Sequence, residues 1–298
     1  MIPTDAVLLL NKPPGVTSFA SLYPVKRTLG KKVGHAGTLD KFAQGLMIVL
    51  TGAFTRLNPL FSSMDKRYVA TIQFGLETST LDPEGEIICE KAPCDLPAIE
   101  QALKTSFIGT IMQKPPAYSA LHIDGKRAHT LARSGRYVEI PSRPVTIFST
   151  NIITWNSPYL ELEIHCSKGT YIRSLARDIA LACQSCGHLR ALKRTAIGPY
   201  SLDEAISSDQ TNALVSMASE SLGRLLQIEN FGLLEVSGQA ALRLGYGQLP
   251  QEHNLRMLRA GEKYAGIVDD KGKLLAVVTL DNVGRPMKFV AMPKYGVI

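Results

Sequence analysis

Five consecutive apolar residues, Leu46-Met47-Ile48-Val49-Leu50, follow the stretch Gly34-His35-Ala36-Gly37-Thr38-Leu39-Asp40-Lys41-Phe42-Ala43-Gln44-Gly45. An uninterrupted apolar run of this length, entered through a glycine, reads as a strand buried on both faces. The chain must then carry the Gly-rich stretch at the rim of a core. Backbone can approach a ligand closely there, and the lone acid of the stretch, Asp40, has a controlled environment. Taken by itself, the stretch reads as a tight surface turn whose Asp bonds nearby amides.

The remaining periodicities surround this strand with a mixture of elements. Val7-Leu8-Leu9-Leu10 is a second short apolar strand, broken by Asn11-Lys12-Pro13-Pro14-Gly15. Thr17 and Ser18 can cap a helix running to Leu29 and stopped by Gly30, with Pro24 forcing a kink or a late start. Residues 53–61 read as a short helix. Tyr68, Ala70, Ile72 and Phe74 alternate with polar or smaller neighbours, as do Leu160, Leu162, Ile164 and Cys166, which is strand periodicity. Asp82-Pro83-Glu84-Gly85 is turn chemistry leading into a return strand over 86–90. Asp95 and Pro97 open a helix with Ile99, Ala102, Leu103 and Phe107 on one face. Residues 171–183 read as a helix and 189–195 as a strand. From about Phe231 short strands dominate, with 264–268 and 273–280 forming a hairpin about Asp269-Asp270-Lys271-Gly272, and 287–292 completing a small β-rich C-terminal domain.

The formal net charge of +7 favours a polyanionic partner, nucleic acid ahead of an anionic membrane. Two stretches concentrate it. Residues 113–143 carry Lys114, Lys126, Arg127, Arg133, Arg136 and Arg143 against Asp124 and Glu139, a local +4; a long basic loop in a compact protein is a binding element. Residues 168–194 carry six basic residues against Asp178, a local +5. Arg173 there sits in the first turn of a helix, against the dipole, so an anion is expected beside it. No signal peptide or membrane-length apolar run is visible, and the cytosol is the default compartment. The five cysteines are expected as free thiols. Cys183-Gln-Ser-Cys186 lacks an obvious second ligand pair for zinc, and reads as a helix end capped by Gly187.

In order along the chain, Lys12-Pro13-Pro14-Gly15-Val16-Thr17-Ser18, Gly34-His35-Ala36-Gly37-Thr38-Leu39-Asp40, Arg67-Tyr68-Val69-Ala70 and Gly75…Thr78-Ser79-Thr80-Leu81-Asp82…Gly85 are followed by four more motif pieces. These are Gln113-Lys114-Pro115-Pro116-Ala117-Tyr118-Ser119-Ala120, Cys166-Ser167-Lys168-Gly169-Thr170-Tyr171-Ile172-Arg173, Leu189-Arg190 and Arg194-Thr195. Over roughly the first 210 residues this series strongly resembles the TruB family of tRNA pseudouridine synthases. The resemblance implies an α+β fold: a catalytic domain on a mixed, mainly antiparallel sheet with flanking helices (residues 1–228, closing loop about 113–143), plus a PUA-like RNA-binding domain (229–298). It implies isomerisation of the T-loop uridine, position 55, of tRNA to pseudouridine, by a monomer, with no cofactor and no metal.

Carried over by motif, Asp40 matches the catalytic carboxylate, and Arg173 the arginine that pairs with it, keeping it ionised and directed. Tyr68 matches the aromatic that stacks on the flipped base. His35 matches a histidine that helps hold flipped nucleotides, and Gly37 and Thr38 stand beside it in the same motif. Lys12 either binds phosphate or pairs with a core acid. Asp82 either supports the charge network or starts its turn. Lys114, Lys126, Arg127, Arg133, Lys168, Arg190 and Arg194 are candidate RNA contacts. Without the resemblance, Arg173 reads as a phosphate contact or surface charge and Tyr68 as an ordinary strand residue. The sequence departs from the family pattern at Lys41, where Pro is usual, at His122 and His129, where Lys and Tyr are usual, and at Pro24.

Two other classes fit these residues less well. A non-catalytic RNA binder would have no need of an acid in a polyanion site. A glycoside hydrolase usually requires two cooperating carboxylates, and the central stretch supplies one.

Overall fold

The computed structural model describes residues 4–30, 32–118 and 140–293, with the backbone of two short paired strands, His122–Ile123 and Lys126–Arg127. The chain divides into two compact units: one formed by Met1–Asp40, Gly45–Ser63 and Gly198–Ile298, the other by Lys41–Gln44 and Met64–Ile197.

The strand Gln44–Thr51, in the first unit from Gly45 on, pairs antiparallel with Val7–Lys12 on one side and Val33–His35 on the other. Leu46 to Leu50 and Val7 to Leu9 are fully buried. Both faces are therefore covered, which is why these runs show no polar alternation. Pro24 resolves as a late start: a 3₁₀ turn, Ala20–Leu22, precedes the helix Tyr23–Leu29, whose first turn accepts the proline because the missing N–H has no intrahelical partner there. Thr17 caps the 3₁₀ turn, its Oγ1 accepting from Ala20 N at 3.1 Å, and Gly30 ends the helix at φ 105°. Residues expected as one short helix are a 3₁₀ segment, Gly52–Leu57, followed by the helix Asn58–Ser62.

The C-terminal part of this unit is a five-stranded sheet in the order Leu255–Arg259, Phe231–Val236, Tyr264–Val268, Leu274–Leu280, Pro286–Ala291. Only the Phe231–Val236 and Tyr264–Val268 pair is parallel. The expected hairpin is present, its turn closed by Asp269 Oδ1 accepting from Lys271 N and Lys273 N. Leu234, Val236, Leu244, Ala265, Ile267, Ala276 and Val278 make a separate small core, with Leu244 supplied by the helix Gly238–Gly245.

The second unit is an antiparallel run in the order Gly187–Ile197, Lys66–Phe74, Tyr159–Cys166, Arg143–Asn156, Gly109–Gln113. The alternation read in the sequence is the burial pattern observed: Tyr68, Ala70, Ile72 and Phe74 point into the core with Leu160, Leu162, Ile164 and Cys166. Two helices, Leu96–Ser106 and Ile172–Ala182, pack in this unit; the first is capped by Asp95 Oδ1 accepting from Ala98 N. A hairpin, Leu76–Thr78 with Ile87–Glu90, carries the Asp82 turn at its tip.

Gly187 is not the helix cap. The cap residue is Cys183, the left-handed position is Gln184 at φ 58°, and Gly187 opens the next strand. Its glycine character serves close packing: a Cβ there would lie 2.8 Å from Ala180 Cβ on the helix and 3.0 Å from Gln73 O on the neighbouring strand. Gly187→Ala is expected to destabilise the chain by about 1–3 kcal/mol through overpacking. Urea unfolding checks this, and an unchanged midpoint would show that helix and sheet can separate freely.

Candidate functional site

In the first unit the Gly-rich stretch leaves the strand Val33–His35 as a loop. Ala36 N donates to Ile48 O at 2.9 Å and Asn58 Nδ2 donates to His35 O at 2.9 Å, so the loop begins from a fixed point. Gly37 turns it at φ 112°, a conformation that side chains oppose. Its far end is held by Ser18, whose Oγ both accepts from Leu39 N at 2.9 Å and donates to Leu39 O at 2.8 Å. Asp40 follows this clamp and is half-buried, while Thr38 is exposed. Sequence reading gave Ser18 only a capping role; its real partner is 21 residues away and no periodicity announces it.

Lys12 is fully buried, and its Nζ donates to Pro13 O at 2.8 Å and Val16 O at 2.6 Å. An ammonium folded over its own Lys-Pro-Pro-Gly-Val turn shapes that turn from beneath. Both carbonyls belong to a segment that its prolines leave without a full set of N–H donors.

In the second unit the helix Ile172–Ala182 begins at a dense polar knot. Arg173 is 5% exposed. Its Nη1 donates to Asp82 Oδ2 at 3.1 Å and Thr80 O at 2.9 Å, and its Nη2 to Tyr118 O at 2.9 Å. Asp82 is thus an anion that the position of Arg173 called for. Asp82 also starts its turn, its other oxygen accepting from Thr80 Oγ1 at 2.5 Å and Glu84 N at 3.0 Å. Leu81, immediately before it, sits at φ 61°, an uncommon conformation for leucine, held by Leu81 N to Thr78 O and Leu189 N to Leu81 O.

The same helix start anchors the stem of the basic region. Gln113 bonds Tyr171 reciprocally, its Oε1 accepting from Tyr171 N at 2.8 Å and its Nε2 donating to Tyr171 O at 3.1 Å. Ser174 Oγ donates to Lys114 O at 2.8 Å. Gln113 and Ser174 were not singled out from sequence, although both stand in or beside matched motifs.

Tyr68 is 8% exposed on the core-facing side of its strand and stands opposite Arg194 in the strand register. Arg194, expected to face RNA, is 1% exposed; a guanidinium so enclosed presents no surface to a phosphate. Lys114, Lys168 and Arg190 are exposed as expected. Arg133 and His129 lie outside the described residues, and Lys126, Arg127 and His122 fall in the two short strands. Lys41 has Glu84 as a partner, Nζ to Oε1 3.8 Å, with both side chains more than half exposed. Among the described residues no group of three or more His, Cys, Asp or Glu could hold a metal ion, and no helix is long and apolar enough to cross a membrane.

Lys66, which sequence reading passed over, shares the core face with Tyr68. Burial, and next the charge of Arg194, lower its pKa from 10.5 to about 8, and its ammonium donates to Met64 O. Between those two values the folded chain holds fewer protons than the unfolded one, so this group's contribution to stability rises with pH across that window. The stability difference between Lys66→Met and the native chain is therefore expected to move against the variant between pH 7 and pH 10, by on the order of 2 kcal/mol; a pH-independent difference would refute the burial argument. Asp82→Asn leaves the turn acceptors but removes the charge beside Arg173. With the carbonyl partners retained, a loss of about 2–3 kcal/mol is expected in denaturant unfolding, and an unaltered stability would show the pair to be dispensable.

Residues 26–172 match the TruB family pseudouridylate synthase N-terminal domain. The chain is 44% identical over 222 residues to a tRNA pseudouridine synthase B of Borreliella burgdorferi (strain ZS7), an alignment covering 73% of this chain and 78% of that one. It is 37% identical over 291 residues to the protein of the same name from Corynebacterium efficiens, covering 93% and 96%. Among solved structures, a chain of a Cbf5-Nop10-Gar1 complex shares the fold at a TM-score of 0.69 and 22% identity, over 97% of this chain and 87% of that one. The chain belongs to the TruB family of pseudouridylate synthases.

Proposed function

We propose that this chain isomerises a uridine of tRNA to pseudouridine, that the uridine is position 55 of the T-loop, and that Asp40 is the carboxylate that acts on it. The observation that carries the reading is the joint presence of Asp40 in its Gly-rich loop, Tyr68 and Arg173 in a chain 44% identical over 222 residues to a tRNA pseudouridine synthase B. The reaction breaks the bond from ribose C1′ to N1, turns the uracil, forms a bond from C1′ to C5 and releases the C5 proton. Atoms and electrons balance without an added reagent. A carboxylate ionised at neutral pH supplies the lone pair such a sequence needs, toward sugar or base, or toward the proton.

A T-loop uridine must leave its stack to react, at a cost of a few kcal/mol. Tyr68 offsets about 1–3 kcal/mol of this by stacking on the extruded base. His35, Gly37 and Thr38 line the way in. Asp82 holds Arg173 in place. Lys114, Lys126, Arg127, Arg133, Lys168 and Arg190 meet the T-arm phosphates. Residues 1–228 act as the catalytic domain and 229–298 as a PUA-like RNA-binding domain, in a monomer working in the cytoplasm.

The test uses unmodified tRNA bearing tritium at C5 of uridine. Tritium release is expected with the native chain and is expected to fall at least a thousandfold with Asp40→Asn, tRNA binding being retained; undiminished release would overturn the assignment of Asp40. In the same assay Tyr68→Ala is expected to lower turnover more than affinity, and the reverse split would make Tyr68 a docking residue.

A further inference from the structure

Phe19 and Tyr23 are 56% and 54% exposed, an unusual state for two aromatic rings side by side on one protein surface. The rings meet edge to face, centroids 5.7 Å apart and planes at 82°. Lys26 lies over both, with Nζ 4.1 Å from the Phe19 centroid and 5.6 Å from that of Tyr23. We propose that these three side chains form a stacking seat for an unpaired nucleobase of the RNA substrate, neighbouring the uridine that reacts. This rests on the RNA-modifying reading above.

Charge and position argue for that occupant. Between Asp5 and Asp40 the chain has no acidic residue, while Lys12, Lys26, Arg27, Lys31 and Lys32 are all basic. Arg27 and Lys32 are exposed close by in sequence, so the surround of the seat attracts a polyanion. A flat ring accepts any base through a free π-face, and a lysine held at the rings adds attraction for the backbone phosphates of the same strand. The seat is also tied to the reactive loop. Phe19 directly follows Ser18, whose reciprocal bonds hold Leu39, and Asp40 directly follows Leu39. Thr17 Oγ1, accepting from Ala20 N, sets the turn that carries Phe19. The seat is thus joined through Ser18 to the loop that carries Asp40, and on it we place a nucleotide adjoining the extruded uridine.

The test places 2-aminopurine, one position at a time, at the nucleotides flanking the target uridine in a T-arm hairpin, and reads fluorescence together with steady-state tritium release. With the native chain, quenching is expected at one flanking position. With Phe19→Ala/Tyr23→Ala that quenching is lost and KM rises about tenfold, while kcat stays within about threefold and the unfolding midpoint is unchanged. Phe19→Tyr is expected to retain quenching and KM, and Phe19→Leu to lose both. Unchanged KM and quenching in the double variant, or full rescue by Phe19→Leu, would overturn the seat, the second by showing that apolar packing alone suffices. Absence of tritium release from the native chain would instead overturn the underlying functional reading.

Discussion

A buried guanidinium, Arg173, is the constraint on which the second unit turns. A charge that is 5% exposed requires partners, and three acceptors from two separate segments meet its Nη1 and Nη2: Asp82 and the carbonyls of Thr80 and Tyr118. The hairpin that carries Asp82 and the stem of the basic region are thereby referred to one helix start. Gln113 and Ser174 add bonds between that same helix start and the stem. A polar knot of this kind adds little net stability compared with apolar packing, but it allows one arrangement only, because any slip strands a charge away from water.

The first unit solves a related problem with neutral groups. A loop rich in glycine has few side chains to hold it; beside the burial of Ala36 and Leu39, hydrogen bonds fix both ends, Ala36 to Ile48 at the start and Ser18 to Leu39 at the finish. Gly37 at φ 112° supplies the turn between them. Lys12, folded onto Pro13 and Val16, braces the adjacent turn in the same way. Asp40 thus hangs from fixed backbone, which the role proposed for it requires, since misplacement of a reacting group by about 1 Å can reduce rate a hundredfold.

Much of this was legible in the residues. The apolar runs at 7–10 and 46–50 became buried strands, and the alternation at 68–74 and 160–166 became the burial pattern of an antiparallel sheet. The ordered motifs by themselves resemble those of the family to which the chain belongs. Legibility ended where a residue's partner lay far along the chain. Gly187 looked like a helix cap because caps are local, whereas its actual reason is the approach of Ala180 and Gln73. Arg194 looked like an RNA contact because it closes a basic stretch, yet its strand phase turns it inward opposite Tyr68. Lys66 passed unnoticed, since a lysine at a strand end is ordinarily solvated.

The strands Gly109–Gln113 and Arg143–Asn156 were not legible in the sequence. What the sequence determined by itself was many of the other elements, the faces they bury and the chemical inventory of the loop about Asp40. These follow from short-range periodicity and turn stereochemistry, which act within a few residues. Only the tertiary structure decided which charges are enclosed and by what: Arg173 by Asp82, 91 residues earlier, and Ser18 to Leu39 across 21. The reason is physical. A hydrogen bond or ion pair depends on distance in space, and its energy inside a protein depends on exclusion of water, neither of which is encoded at any one position along the chain.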